Sequence, residues 1–268
     1  MFVNKRISIK TMIVSVFIVW AVMNLVETVK INRLLVPDMV HYGSDVVLDC
    51  DFTFDKRETD LVVKWYFNGA QVYQWIPSVR TPQSSGILKG RVNLEHKADD
   101  RDESTVHRAL HILNVGPDLS GNFTCLVSTT ESEDTETKFM LVLVAEKFFE
   151  LKRLNADEGF IRVQCRADGI FPLPVMTLLS QQREIPRPAV QLKPVDHLYQ
   201  IAAQVTLPEL EGPEEFSCKL HIPQANYTRR RETVFYPGSA GGLIINNWLT
   251  LSMCLLNCYA GLRYFGVR

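Results

Sequence analysis

The sequence of 268 residues predicts an all-β chain of two tandem sandwiches, and three observations carry that prediction. Cysteines recur as spaced pairs: Cys50 and Cys125 with Trp65 between them, then Cys165 and Cys218 at a shorter separation. Around these landmarks apolar residues alternate with polar ones, as period-two geometry demands of half-buried strands. A length of 268 residues with 46% hydrophobic composition suits one large domain or two small ones, and the two cysteine pairs favour two.

The first unit is expected over residues 31–145. Val36 to Val40 reads as an edge strand, where Pro37 removes no ladder bond if its nitrogen faces outward. Val46, Leu48 and Cys50 alternate with Val47, Asp49 and Asp51, which makes a strand with one apolar face. Val63, Trp65 and Phe67 are expected inward, and Val62, Lys64 and Tyr66 outward. Asn68-Gly69 supplies a tight hairpin turn, because both residues tolerate positive φ, and the chain returns through Gln71 to Ile76. Arg91 to Leu94 is expected as a further strand. Asp99 to Glu103 is charged throughout and reads as a solvated loop. Leu110, Ile112 and Val115 then lead to Ser120-Gly121-Asn122-Phe123-Thr124-Cys125. Thr129 to Glu136 reads as an acidic loop, either a soluble turn or a binding loop, and Lys138 to Val144 as the closing strand.

Together the Cys50, Trp65 and Cys125 positions resemble a variable-type immunoglobulin sandwich. That resemblance implies a disulfide between Cys50 and Cys125, joining strands B and F, with the indole packed beside it. It also places Phe123 where a corner tyrosine is usual, so the corner hydrogen bond is expected to be missing. An arginine–aspartate pair usual in such domains is not expected either, because Asp118 stands seven before Cys125 and Leu119 occupies the usual place.

The second unit, residues 146–237, follows without a Gly/Ser/Pro-rich linker, which implies stiff coupling. Phe148 to Leu151 and Ile161 to Cys165 read as strands, and Arg166 to Pro174 as the turn after them. Leu178 stands where the core tryptophan would be; Leu198, Ile201, Ala203 and Val205 sketch another strand, and Phe216 stands two before Cys218. The shorter spacing fits a constant-type or intermediate-type sandwich, for which the resemblance implies a Cys165–Cys218 disulfide. Each cross-link is expected to stabilise its unit by about 4 kcal/mol, and such bonds persist in an oxidising, extracellular compartment.

Both ends read as targeting segments. Lys5, Arg6 and Lys10 precede an uncharged stretch from Thr11 to Val26, so residues 1–28 are expected to be a cleaved signal helix, with Val26 and Thr28 suited to the −3 and −1 positions; an uncleaved anchor is the alternative, disfavoured because sixteen residues fall short of a membrane span. Residues 238–268 hold small residues, an uncharged run from Leu243 to Leu262 containing Cys254 and Cys258, and then Arg263 and Arg268. Two readings stay open for this hydrophobic anchor segment: a glycolipid attachment signal or a single membrane span.

Chemistry is scarce in this sequence. His107 and His111 are four apart but no acidic or cysteine ligand completes a metal shell, so surface histidines without metal are expected. Arg229-Arg230-Arg231 lacks the upstream arginine of a common processing site. No catalytic triad, phosphate loop or activated cysteine is evident, so neither enzyme activity nor a cofactor is expected. A net charge of −1 without a basic stripe argues against nucleic acid as a partner. Asn122-Phe123-Thr124 and Asn226-Tyr227-Thr228 are glycosylation sequons, at Asn122 and Asn226.

Val36-Pro37, Val47 to Cys50, Val63 to Tyr66, Val72-Tyr73-Gln74-Trp75-Ile76-Pro77 and Ser120 to Ser128 together resemble the beaten-path family of neuronal cell-surface proteins. The resemblance implies a secreted or membrane-tethered protein on the extracellular face of the plasma membrane, acting in axon guidance or synaptic partner choice. Its implied partner is a sidestep-type immunoglobulin receptor. An immune-type or structural extracellular protein without a neuronal partner is the alternative. Variable-type domains commonly meet partners through the sheet of strands C, C′, F and G, which nominates Lys64, Tyr66, Tyr73 and Trp75 as partner-binding residues, with Trp75 alternatively in the core.

Overall fold

A computed structural model of the chain describes residues 28–79, 81–99 and 102–237. The expected signal helix, apart from Thr28, and the expected anchor at 238–268 lie outside the described residues. No helix among the described residues is long and apolar enough to cross a membrane.

The first sandwich is built from β1 (Lys30–Leu35), β2 (Met39–His41), β3 (Val46–Thr53), β4 (Val62–Phe67), β5 (Ala70–Trp75), β6 (Gln83–Ser84), β7 (Leu110–Ile112), β8 (Gly121–Ser128) and β9 (Glu133–Leu143). One sheet has the order β1-β3-β7 and the other β2-β9-β8-β4-β5-β6. The chain crosses between sheets at Val36-Pro37-Asp38. Proline has no N–H to lose where the ladder breaks, and β2 then pairs parallel with β9, Met39 opposite Leu141. The strand expected over 36–40 is therefore a crossing followed by three paired residues.

Alternation places the core where the sequence puts it. On β3, Val46, Leu48, Cys50 and Phe52 are buried, and on β4, Val63, Trp65 and Phe67. Cys50 and Cys125 form the cross-link over a separation of 75 residues. The β4–β5 hairpin turns at Asn68 (φ +48°) and Gly69 (φ +83°). Gly121 lies directly beneath that turn, where a Cβ would stand 2.6 Å from the Asn68 carboxamide oxygen and 2.7 Å from the Phe67 ring. Phe123 lacks a hydroxyl but packs its ring 4.9 Å from that of Phe67.

Three expectations need correction. Arg91 to Leu94 makes an isolated bridge, Val92 to Ile112, instead of a strand. The Arg91–Asp118 ion pair does form, at 2.5 Å. Pro117–Leu119 is a 3-10 turn whose Leu119 side chain enters the core while Asp118 is left half exposed beside Arg91, so the one-residue offset is absorbed by the turn. Finally, the closing strand β9 begins at Glu133, so only 129–132 of the acidic segment is a connection.

The second sandwich consists of β10 (Phe148–Asn155), β11 (Phe160–Ile170), β12 (Val175–Ser180), β13 (Arg183–Glu184), β14 (Ala189–Val195), β15 (Leu198–Pro208), β16 (Glu214–Ile222) and β17 (Tyr227–Phe235). Its sheets run β10-β11-β15-β14 and β13-β12-β16-β17, tied by Cys165–Cys218 across 53 residues. β11 continues five residues past Cys165, bulging at Ala167/Ile170 where Gly169 has φ +73°, so the turn expected at 166–174 shrinks to 171–174. Leu178 is buried opposite Cys218. Two apolar cores result. Val142 belongs to the first and Leu143 to the second, so one strand carries the chain between them.

Replacing Gly121 with alanine is expected to lower stability by about 1–3 kcal/mol, because the added methyl overlaps the Asn68 and Phe67 side chains. Urea denaturation measures it. An unchanged midpoint would mean that both side chains yield to the methyl at no cost.

Candidate functional site

The six-stranded sheet presents a broad outer face. Because neighbours across a ladder share a face, register identifies what it displays. Lys64 on β4 stands opposite Leu126 on β8 and Gln74 on β5, and Tyr66 stands opposite Thr124 and Gln71. Leu126 faces Thr135 on β9, Thr124 faces Thr137, and Asn122 faces Phe139. Val62, Ser128 and Glu133 continue the face upward, where Lys64 and Glu133 are its charged residues. The Thr124 and Thr137 hydroxyls bond to each other at 2.7 Å. Among the described residues, the Lys64 ammonium and the Tyr66 hydroxyl have no hydrogen-bond or ion-pair partner.

The opposite sheet carries an internal charge cluster on β3. Arg108 donates to the two Asp49 carboxylate oxygens at 2.9 and 3.2 Å and reaches Asp51 at 2.9 Å. One guanidinium thus holds two carboxylates, and Asp49 in particular strengthens the hold of Arg108 on its proton.

Two of the four nominated partner-binding residues are not on the outer face. Tyr73 and Trp75 do share one side of β5, but it is the inner side, and both are buried. A bulge is the reason. Trp65 pairs with Tyr73, yet Tyr66 pairs with Gln71, so Val72 is an extra residue and Val72 and Tyr73 both turn inward. The Tyr73 hydroxyl donates to the His107 carbonyl at 2.8 Å, and burial raises its pKa. The Trp75 indole meets the His107 ring edge-on at 5.6 Å. Period-two reading cannot see such a bulge. It also passed over Leu126, although the residue after an inward Cys125 must point outward, and Phe139, which lay inside an apolar run.

The acidic segment is tied down. Thr129 and Ser132 hydroxyls both donate to Glu58, the latter at 3.1 Å, while Thr130 N–H donates to Thr59 O at 3.1 Å. Ser132 Oγ and Asp134 accept from the Val29 and Ile31 backbone nitrogens at 2.9 and 2.8 Å. Much of its polarity thus serves to hold β1 and the neighbouring loop.

His107 and His111 are half-buried, which corrects the surface reading. His96 joins them: its ring lies 4.9 Å from that of His111, and its carbonyl accepts from His107 Nδ1 at 2.8 Å. No group of three or more side chains arranged to hold a metal ion occurs among the described residues. The arginine run is engaged on β17, where Arg229 pairs with Glu146 (3.3 Å), Arg230 pairs with Glu232 (2.6 Å) and Arg231 lies over the Phe149 ring (6.0 Å). Asn122 and Asn226, the two sequon residues, are both exposed.

No family model matches the sequence, and no curated protein is significantly similar to it. Solved structures are similar in fold. A crystal structure of bovine butyrophilin superposes with a TM-score of 0.59 at 15% identity, covering 78% of this chain and 98% of that one. A chain from the structure of ICOS in complex with ICOS-L and an anti-ICOS-L VNAR domain gives 0.54 at 15% identity, over 73% of this chain and 97% of that one. These likenesses show an immunoglobulin-like fold and do not reach the beaten-path family.

The histidine cluster predicts a pH response. Burial, then the neighbouring His111, depress the His96 pKa; Asp49, itself paired with Arg108, pulls the other way more weakly, and His107 adds a still smaller depression. A histidine depressed in the folded state takes up protons more readily when unfolded. Its contribution is whole above its ordinary value of 6.5 and is lost as pH falls below that value. Melting temperature is therefore expected to drop between pH 7.5 and pH 5, and His96→Gln is expected to shrink that drop. An undiminished drop in the variant would remove His96 from the account.

Proposed function

We propose that this chain is an extracellular recognition protein, secreted or held at the cell surface, that binds another immunoglobulin-type protein through the outer face around Lys64, Tyr66 and Leu126. One observation carries the reading: in a face of mostly uncharged side chains, a lysine and a tyrosine beside an outward leucine have no hydrogen-bond or ion-pair partner among the described residues. A tyrosine with an unused hydroxyl beside aliphatic surface suits a partly wet protein interface. The reading is one of binding and not of catalysis.

Three further points support it. Two disulfides fit folding in an oxidising compartment, in keeping with a leader over 1–28 and an anchor over 238–268. One of the structurally similar chains comes from a complex of ICOS with ICOS-L. The resemblance to the beaten-path family narrows the partner to a sidestep-type receptor and the role to axon guidance or synaptic partner choice.

Tyr66→Ala combined with Leu126→Asp is expected to weaken partner capture by about 2 kcal/mol or more, roughly 30-fold, without lowering the melting temperature, because both side chains point out of the core. Capture is measured against a panel of purified surface immunoglobulin proteins that includes sidestep-type receptors. Undiminished binding by a normally folded variant would exclude this face. Selective capture of a panel member outside the sidestep type would keep the face and overturn the neuronal assignment.

A further inference from the structure

Phe139 poses a separate question. It is 53% exposed in the middle of a well-paired strand, with Met140 buried next to it. An exposed phenylalanine leaves apolar surface in water unless something covers it. The residue directly across the ladder is Asn122, first residue of the sequon Asn122-Phe123-Thr124. Directly opposed residues in antiparallel strands have Cβ atoms about 4.5–5.5 Å apart and project to the same side.

The Asn122 backbone is fixed through both its N–H and its carbonyl. Its N–H donates to the Asn68 carboxamide oxygen at 2.9 Å and its carbonyl accepts from Asn68 N–H at 2.9 Å. Its own side-chain amide is exposed and has no partner among the described residues. The site is thus an outward carboxamide held in a fixed position beside an uncovered aromatic ring.

We infer that Asn122 carries an N-linked glycan whose first N-acetylglucosamine lies on the Phe139 ring. The bond forms between the Asn122 amide nitrogen and C1 of the sugar of a lipid-linked oligosaccharide. The C1–oxygen bond to the lipid diphosphate breaks, the diphosphate leaves with that electron pair, and the nitrogen gives up one proton. The apolar C–H face of the sugar then covers the ring while its hydroxyls remain in water. This covering removes apolar surface from water at no cost to the core, since neither residue contributes to it. It stands independently of the partner proposed above, but it has a consequence for any partner: the glycan occupies the end of the face next to the β4–β5 turn, so the surface around Lys64 and Leu126 is the part left open.

The test uses the full chain expressed in secretory cells. Mass spectrometry is expected to find Asn122 glycosylated. Protein trimmed enzymatically to a single N-acetylglucosamine is expected to melt about 2–4 °C above Asn122→Gln, the shift that a modest surface contact produces in a chain of this size. In the Phe139→Ala background that difference is expected to vanish, and in Phe139→Trp to persist. In the nuclear magnetic resonance spectrum, the acetyl methyl of the retained sugar is expected to move upfield with Phe139 present and to return in Phe139→Ala. An unmodified Asn122, or a melting difference and methyl shift that survive Phe139→Ala, would overturn the proposal.

Discussion

Two hydrogen bonds from buried aromatic side chains fix the segment that enters β7 against the core of the first sandwich. Trp65 Nε1 donates to the Arg108 carbonyl at 3.1 Å, and Tyr73 Oη donates to the His107 carbonyl at 2.8 Å. Both rings are buried among apolar neighbours, where an unpaired N–H or O–H is costly. Adjacent carbonyls of one chain segment satisfy both, so the segment entering β7 must cross the mouth of the core at a fixed height. The consequences propagate outward from there. Arg108, fixed by its own backbone, meets Asp49 and Asp51 on β3, and His107 is placed against Trp75 and under His96.

This constraint explains what was legible in the sequence and what was not. Landmarks that act alone were readable: the cysteines, Trp65, and the alternation of β3 and β4 are local statements about period and burial. Features that depend on the partner strand were hidden. The bulge at Val72 exists because β5 must bring Tyr73 under the β7 approach, and no pattern within Gln71 to Ile76 announces it. Likewise, Asp118 reaches Arg91 because a 3-10 turn rotates it outward while Leu119 goes in. A count of residues back from Cys125 measures chain length and not direction. In the second sandwich the same limit applies: β14 is exposed along its whole length, so burial left no periodic mark on Ala189 to Val195.

The passage between sandwiches is also built from contacts that a linker's composition only hints at. Val144 and Phe171 exchange backbone hydrogen bonds at 2.9 and 3.1 Å, and Lys147 N–H donates to Asp168 O at 3.0 Å. Glu146 receives the Tyr227 hydroxyl at 3.0 Å and the Arg229 guanidinium at 3.3 Å. Every residue from Val144 to Lys147 except Ala145 is thus bonded to β11, β17 or the turn after β11. The absence of Gly, Ser and Pro runs there agrees with this, since a segment with so many fixed partners has no use for backbone freedom.

Division of labour between the two faces of the first sandwich follows from where the loop segment sits. It lies against the β1-β3-β7 sheet and supplies Arg108, which is why the carboxylates of that sheet are matched from within. Among the described residues no comparable segment crosses the outer face of the other sheet. Its outward residues are set only by alternation with the buried set, so Lys64 and Tyr66 follow from the need to bury Val63, Trp65 and Phe67. Burial requires only that such positions face water and leaves their chemistry open. Hydroxyls and short amides would satisfy that requirement, as Thr124, Thr135, Thr137 and Gln74 do along the same face. A tyrosine and a leucine next to a lysine exceed it, and that excess, placed where the fold leaves the choice of residue open, is what the proposed partner-binding reading of this face rests on.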